Sequence, residues 1–527
     1  MNRTTIGSVM RGLCYCFVTL LFAASCANDN VTQDEKQNKD NIPAGATVFT
    51  GTSQPETTTR TAILNHTKGA GASVNWSSTD KIWVKDDAGT WQQSTTTIIP
   101  SAANPSYAKF ALSGTYTGAS HDILYTNMAV TGTQPQVEIK AEQTQSAPNN
   151  FDHAGESGDC GIATGNKAGS NYKFTLNHKA AYLCFIPRTS NEYVKRSKLI
   201  KVEIMSDDEI AGTYDIAANG ELTLASGGSK TITVTTGSGF DIDNTADDMS
   251  KNATYAVVAP GTHTFRIRYW LRNTTDNPGG AIEGTVSKIV TLNCTAGSIH
   301  DVTANLNPRD YDGTKYYMWD AQQNYWSGHE WNSANPWQPV LGNNTNANYA
   351  QSNTDPRFYH EGGGRGARFD ATQSCATLPN ANEMTWYAKG DPRSDVDELW
   401  TTMGHLYKGG RWFKKKSVLL TEGNYNSNTA YDGTDWRLGQ NDEQWNQPLL
   451  SLPSATDASN YFYLPALGQY TGNGVLYYID WNVIYWSSSG HSWDGVPAAY
   501  ALYFDRYYVR VMQSASRQSG LLIGTFE

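Results

Sequence analysis

Past residue 25 this chain has no apolar run long enough to cross a membrane, few charges and almost no cysteine. Charged residues make up 17% and the formal net charge is -10, which excludes the basic footprint of a nucleic-acid binder. Of the 7 cysteines, Cys14, Cys16 and Cys26 precede residue 27. The other four, Cys160, Cys184, Cys294 and Cys375, show no Cys-x-x-Cys or Cys/His spacing, so no zinc finger is readable. His178 has no second histidine at ligand spacing and reads as a packed structural residue. There is no Gly-x-Ser-x-Gly, no His-Glu-x-x-His and no P-loop. Acids are present late in the chain (Asp391, Asp395, Asp397, Glu398, Asp432, Asp435, Asp480, Asp494, Asp505), and paired acids are how glycosidases work. Acids beside glycine or serine, as at Asp391, Asp395, Asp432 and Asp494, are usually turn formers. No catalytic residue, metal or cofactor is assigned, although Asp432 and Asp435 are spaced to assist a calcium ion.

What is present begins with an address. Residues 1–25 carry a basic start (Arg3, Arg11), an apolar stretch from Leu13 to Ala24 and small residues, the pattern of a secretory signal peptide. Leu-Phe-Ala-Ala-Ser-Cys, ending at Cys26, resembles the lipobox of bacterial lipoproteins. That resemblance implies cleavage before Cys26 and acylation of it, with several chains anchoring the protein at about 0.8 kcal/mol per buried methylene. The alternative is ordinary signal cleavage with Cys26 left as an odd thiol. Residues 26–44 are polar and charged and read as a flexible tether.

From residue 45 the pattern is strand and turn. Residues 45–160 hold short runs such as Val74 to Trp76, Ile82 to Val84 and Ile123 to Tyr125, together with the alternating Val137 to Lys140. Residues 161–307 continue with Phe174 to Leu176, Ala181 to Ile186, Leu199 to Ile204 and Phe265 to Trp270, with Asn219-Gly220 as a turn signal. Each span reads as a β-sandwich. Residues 308–527 differ, for 12 of the 16 tryptophans lie after Leu306. Asn380 followed by Glu383 is a capping box opening a helix over Ala381 to Lys389, with Gly390 as its stop. Ser394 can cap a second helix, where Val396, Leu399, Trp400 and Met403 recur at helical spacing. The strand-rich end from Tyr461 makes this part α+β.

Thr-Arg-Thr at Thr59 to Thr61, Val-Asn-Trp-Ser-Ser-Thr-Asp-Lys-Ile-Trp-Val at Val74 to Val84, Phe174 to Leu183 and Thr295 to Leu306 together resemble the fimbrillin family of pilus subunits. The resemblance implies two tandem transthyretin-like β-sandwiches. It also implies an assembly route in which a protease cuts after Arg60, leaving Thr61 as the new N-terminus, and a neighbouring subunit donates a strand to the groove so opened. Otherwise Arg60 is a surface arginine on an edge strand. Leu378 to Tyr387, Gly404 to Lys416, Tyr461 to Gly468, Tyr485 to Ser489, Ala499 to Phe504 and Arg517 to Gly520 form an ordered series similar to C-type-lectin-like domains. No Glu-Pro-Asn or Gln-Pro-Asp follows, so calcium-dependent sugar binding is not implied.

The expected fold is therefore mainly β: two transthyretin-like sandwiches followed by an α+β C-type-lectin-like domain. Binding is the expected business of that last domain. Trp481 with Asn482, and His491 with Trp493 and Asp494, combine aromatic faces with short polar groups that suit a sugar or a peptide. The combined expectation is a non-enzymatic surface adhesion protein of the outer membrane and fimbrium, a tip or accessory subunit. Its expected partners are other fimbrillin subunits, a host or microbial surface glycan or protein, and the membrane through the lipid before processing. The alternatives are an outer-membrane lipoprotein that captures glycans without polymerising, and a surface hydrolase.

Overall fold

The computed structural model describes residues 42–52, 62–64, 66–70, 72–275, 280–362, 368–446, 451–491 and 497–527. The expected signal peptide, Cys26, Arg60, Thr61, Trp493 and Asp494 lie outside the described residues. The chain is mainly β, as expected; among the described residues the longest helix is Ala381–Lys389, of 9 residues.

The first sheet is built around the first strand, Thr47–Thr52. It runs antiparallel to Ala108–Leu112 on one side and parallel to Asn171–Thr175 on the other. Register places Phe49 opposite both Phe110 and Tyr172, and its ring stacks on Tyr172 at 4.6 Å. Trp76 meets Phe110, Tyr125 and Phe174 edge-on beneath this strand, in the arrangement that aromatic quadrupoles favour. Gly51 has to be glycine, because a Cβ there would lie 2.7 Å from the Phe174 ring.

The division expected at residue 160 is corrected. Gln136–Ile139 pairs with Ala211–Ile216, and Glu142–Thr144 pairs with Thr231–Asp241, so both leave the first sheet. Gly161–Ala168 and Asn171–Thr175 return to complete it. Alternation in sequence shows that a strand is half-buried but not which sheet receives it. The second body of sheet joins Ser197–Ser206, Gly261–Asn273 and Ile282–Cys294. A three-stranded sheet, Thr254–Val258, Ala181–Arg188 and Ile299–Asn305, packs against it. Ala181 to Pro187 are all buried, which is why this strand reads as a continuous apolar run. The four later cysteines are buried free thiols.

In the C-terminal part, Val483–His491, Ala498–Phe504 and Tyr508–Ser516 form the central strands of a sheet against which Ala381–Lys389 packs. The capping box forms as expected, with Glu383 N–H donating to Asn380 at 3.0 Å and Asn380 N–H to Glu383 at 2.8 Å. Gly390 ends the helix without a left-handed turn, at φ -77°. Tyr316–Tyr317 pairs with Leu521–Leu522, so the two ends of this part close on each other. Arg517 is wholly buried between the Trp319 and Phe369 rings and donates to the carbonyls of Ala498, His360, Glu361 and His491.

The second helix expected after Ser394 is not there. Arg393–Thr402 is a strand, hairpinned with His405–Lys414. Its apolar spacing misled because both of its faces are buried. Leu399 and Leu406 enter the core of the preceding sheets, while the adjacent Trp400 and Tyr407 enter the C-terminal core. Two-sided burial erases the period-2 alternation that marks a strand.

This hairpin joins the two regions into one run of sheet, through a single pair, Thr285 with Glu398, and through Arg309–Tyr311 alongside. Side chains reinforce so short a pairing. Glu398 accepts from the Ser287 N–H (3.2 Å) and hydroxyl (2.7 Å) and from the Thr285 hydroxyl (3.1 Å). Arg268 lies between Glu203, Asp395 and Asp397, at 3.1, 3.4 and 3.5 Å. Burial, then the neighbouring Asp395 charge, pushes the Glu398 carboxyl from 4.5 up to about 7. The folded chain therefore holds a proton that the unfolded chain releases, and stability falls as pH rises through that interval. Urea denaturation across it will show this slope in the unsubstituted protein. Glu398→Gln flattens the slope and is the more stable above pH 7 by on the order of 1–2 kcal/mol. An unchanged slope contradicts the assignment.

Candidate functional site

The hairpin carries an irregularity. Between the pairs Asp395–Gly410 and Leu399–Lys408, the three residues Val396, Asp397 and Glu398 oppose only Gly409. Such a bulge re-aims side chains. Asp397 and Glu398 contact the groups of the seam, while Val396 lines a cleft of about 230 Å³ with Ser394, Lys408, Asp480, Trp481 and Arg506. Gly410 sits at its floor, where a Cβ would lie 2.3 Å from the Leu464 carbonyl.

The wall of the cleft is the turn between Leu476 and Val483. Tyr478 and Asp480 have φ of 62° and 67°, a backbone costing on the order of 1–3 kcal/mol for each such residue. The surroundings hold it in place. Ile479 is buried, Asp480 N–H donates to the Ala466 carbonyl at 2.8 Å, and Asn482 N–H to the Tyr478 carbonyl at 3.1 Å. The result is a rigid display: Tyr478 is 52% exposed and Trp481 48%. From the neighbouring turn, the Arg506 guanidinium lies 4.6 Å from the Trp481 ring centre, and Tyr507 is 57% exposed beside it. Asp505 fixes that turn by accepting the N–H groups of Tyr507 and Tyr508 at 2.7 and 3.0 Å. Burial pushes the Asp480 carboxyl up, and the Lys408 and Arg506 charges oppose the shift. The arrangement offers aromatic faces for stacking and both signs of charge for orientation, which suits a sugar ring or a side-chain-rich peptide.

The site residues expected from sequence do not form one cluster. Trp481 lies in the cleft. Asn482 is buried behind it and donates to the Tyr503 hydroxyl at 3.3 Å. His491 stands at the other end of the strand Val483–His491, about 30 Å away at the usual rise per residue, with its ring against Tyr500. Arg506, Lys408, Tyr478 and Tyr507 were missed. The signal for two of them was there in Asp-Arg-Tyr-Tyr at Asp505 to Tyr508, an acid-led turn bearing exposed aromatics. The acids considered for calcium are committed elsewhere: Asp435 to Arg437 and Asn382, Asp432 to Thr434 and the Trp436 indole. His178 is buried against Asp159 at 2.8 Å.

No protein-family model matches this chain, and no curated protein does. Among solved structures it is similar to a candidate cell adhesion protein from Bacteroides uniformis, at 16% identity over 50% of this chain and 94% of that one, with a TM-score of 0.29. A second candidate cell adhesion protein, from Bacteroides ovatus, is 11% identical over 49% and 92%, again with a TM-score of 0.29. A fimbrilin from Porphyromonas gingivalis is 10% identical over 48% and 89%, with a TM-score of 0.23. At that level of likeness they define neither the fold nor the function of this chain.

If the cleft binds, an array of glycans and matrix proteins probed with the full-length protein will show hits that Trp481→Ala and Arg506→Ala each weaken by at least about tenfold, roughly 1.4 kcal/mol. Both side chains lie at the surface, so the stability of each variant stays within about 0.5 kcal/mol of the parent. Hits that survive both substitutions place the binding surface elsewhere.

Proposed function

We propose that this chain acts in cell-surface adhesion, as a tip or accessory fimbrillin assembled by donor-strand exchange, with its C-terminal part serving as a lectin-like binding head. The observation that carries the reading is the place of Thr47–Thr52, which lies inside the first sheet rather than at its edge. Arg60 follows it in sequence by eight residues. Cleavage after Arg60 would release this strand, unpairing the facing edges of Ala108–Leu112 and Asn171–Thr175 and emptying the place of Phe49. A strand from another subunit would recover those backbone bonds, and each large apolar side chain it seats would contribute roughly 1.5–3 kcal/mol. The closed ends of the C-terminal part fit a subunit that receives a strand, since Leu521–Leu522 is already paired. Lipidation at Cys26 would hold the unprocessed chain at the outer membrane.

A second reading rests on the same strand. It is fully paired on both sides, so the chain needs no donor to be complete. A lipoprotein that captures glycans and never polymerises would look the same. Mass spectrometry of surface-displayed protein separates the two. A mature N-terminus at Thr61, lost in Arg60→Ala, is the expected result for assembly. An intact acylated Cys26 in all surface material contradicts it and leaves the lipoprotein.

A further inference from the structure

Three potential ligand groups meet on one face of the three-stranded sheet, from segments each more than a hundred residues from the next. Register sets Cys184 beside Asp301 on one neighbouring strand and beside Tyr255 on the other. His66 covers this face, its ring edge-on to Tyr255 at 6.0 Å and its Nε2 2.8 Å from Asp301 Oδ1. The other oxygen of Asp301 accepts the Gly69 N–H at 2.7 Å. One ligand atom from each of His66, Cys184 and Asp301 lies within 4.8 Å of the other two. The His66 side chain is 1% exposed, and Cys184 is fully buried.

We propose that His66, Cys184 and Asp301 form a binding site for a single zinc-like divalent cation. Imidazole, thiolate and carboxylate are the ligands such an ion takes, at about 2.0–2.3 Å. Tetrahedral placement at those lengths sets ligand atoms about 3.4 Å apart, so the His66–Asp301 pair need open by only about half an ångström. Charge favours the ion too. One carboxylate and one thiolate balance a dication in a place where an unpaired charge of either sign is costly. Without metal the trio is less well satisfied. Burial, and then the Asp301 carboxylate, push the Cys184 thiol up, so that without metal it stays protonated. The His66 Nδ1 is buried with no hydrogen-bond partner among the described residues. Binding exchanges the thiol proton for the metal: the S–H bond breaks, a metal–sulfur bond forms and the proton leaves to solvent. The Gly69 N–H fixes the carboxylate from outside, and Asp301, at 14% side-chain exposure, marks the side from which a water completes the fourth position.

Such an ion would bind residues 66–70 to two strands of the three-stranded sheet. Lys68 and Arg188 already share Asp247 beside it. Sequence reading by local spacing cannot find a site assembled this way.

The test uses full-length protein, stripped with a chelator under reducing conditions and then loaded with zinc or cobalt. Expected are about one zinc per chain retained through desalting, and a sulfur-to-cobalt charge-transfer band in the near ultraviolet. Cys184→Ser abolishes the band, and His66→Gln weakens binding by about tenfold or more. Since Cys184→Ser alters a buried position, His66→Gln on the covering segment serves as the second arm. A folded parent protein that retains no zinc and shows no band overturns the proposal. So does a band that survives Cys184→Ser, or retention that His66→Gln leaves unchanged.

Discussion

The hairpin of Arg393–Thr402 and His405–Lys414 is the constraint on which the rest of the C-terminal half depends. A strand has two faces, and here each serves a different core: Leu399 and Leu406 point one way, Trp400 and Tyr407 the other. A rigid-body swing of the C-terminal part would have to withdraw one pair of side chains from the core that holds it. The sheet hydrogen bonds at the seam are few, but the carboxylates and Arg268 around them give the junction a fixed register. Further links reinforce it, from the Tyr193 hydroxyl to the Gly404 carbonyl and from Arg266 to the Pro453 carbonyl at 2.9 Å.

The same hairpin builds the cleft. Its bulge sends Glu398 to the seam and Val396 to the opposite side, where Trp481, Arg506 and Lys408 gather. A surface that must meet a partner benefits from being pre-organised, because a partner then has less loop freedom to freeze. The strained backbone at Tyr478 and Asp480, held by one bond to the Ala466 carbonyl and by buried Ile479, has that character.

Legibility from sequence followed the range of the interaction. The capping box at Asn380 and Glu383 spans four residues and was read correctly. The mainly β character was equally plain, because turn residues recur at short intervals. Arg393–Thr402 was misread because burial on both faces imitates helical spacing. The departure of Gln136–Ile139 to pair with Ala211–Ile216 was invisible, since pattern identifies a strand but not its neighbour. At the cleft, Trp481 stood out as an aromatic between an acid and an amide, whereas Lys408 reaches it only through strand pairing. His491 looked equivalent to Trp481 in composition, and the length of the strand between them sets them apart.

The shared hairpin makes a direct demand on unfolding. Most tryptophans, 12 of 16, lie after Leu306, so their fluorescence reports the C-terminal part, while far-UV circular dichroism reports strands throughout. Thermal unfolding of the full-length protein followed by both probes, with calorimetry alongside, measures whether the two regions melt together. One coincident transition is the predicted result. Two separated transitions, with the tryptophan signal moving on its own, would show that the hairpin does not bind the two cores into one cooperative body.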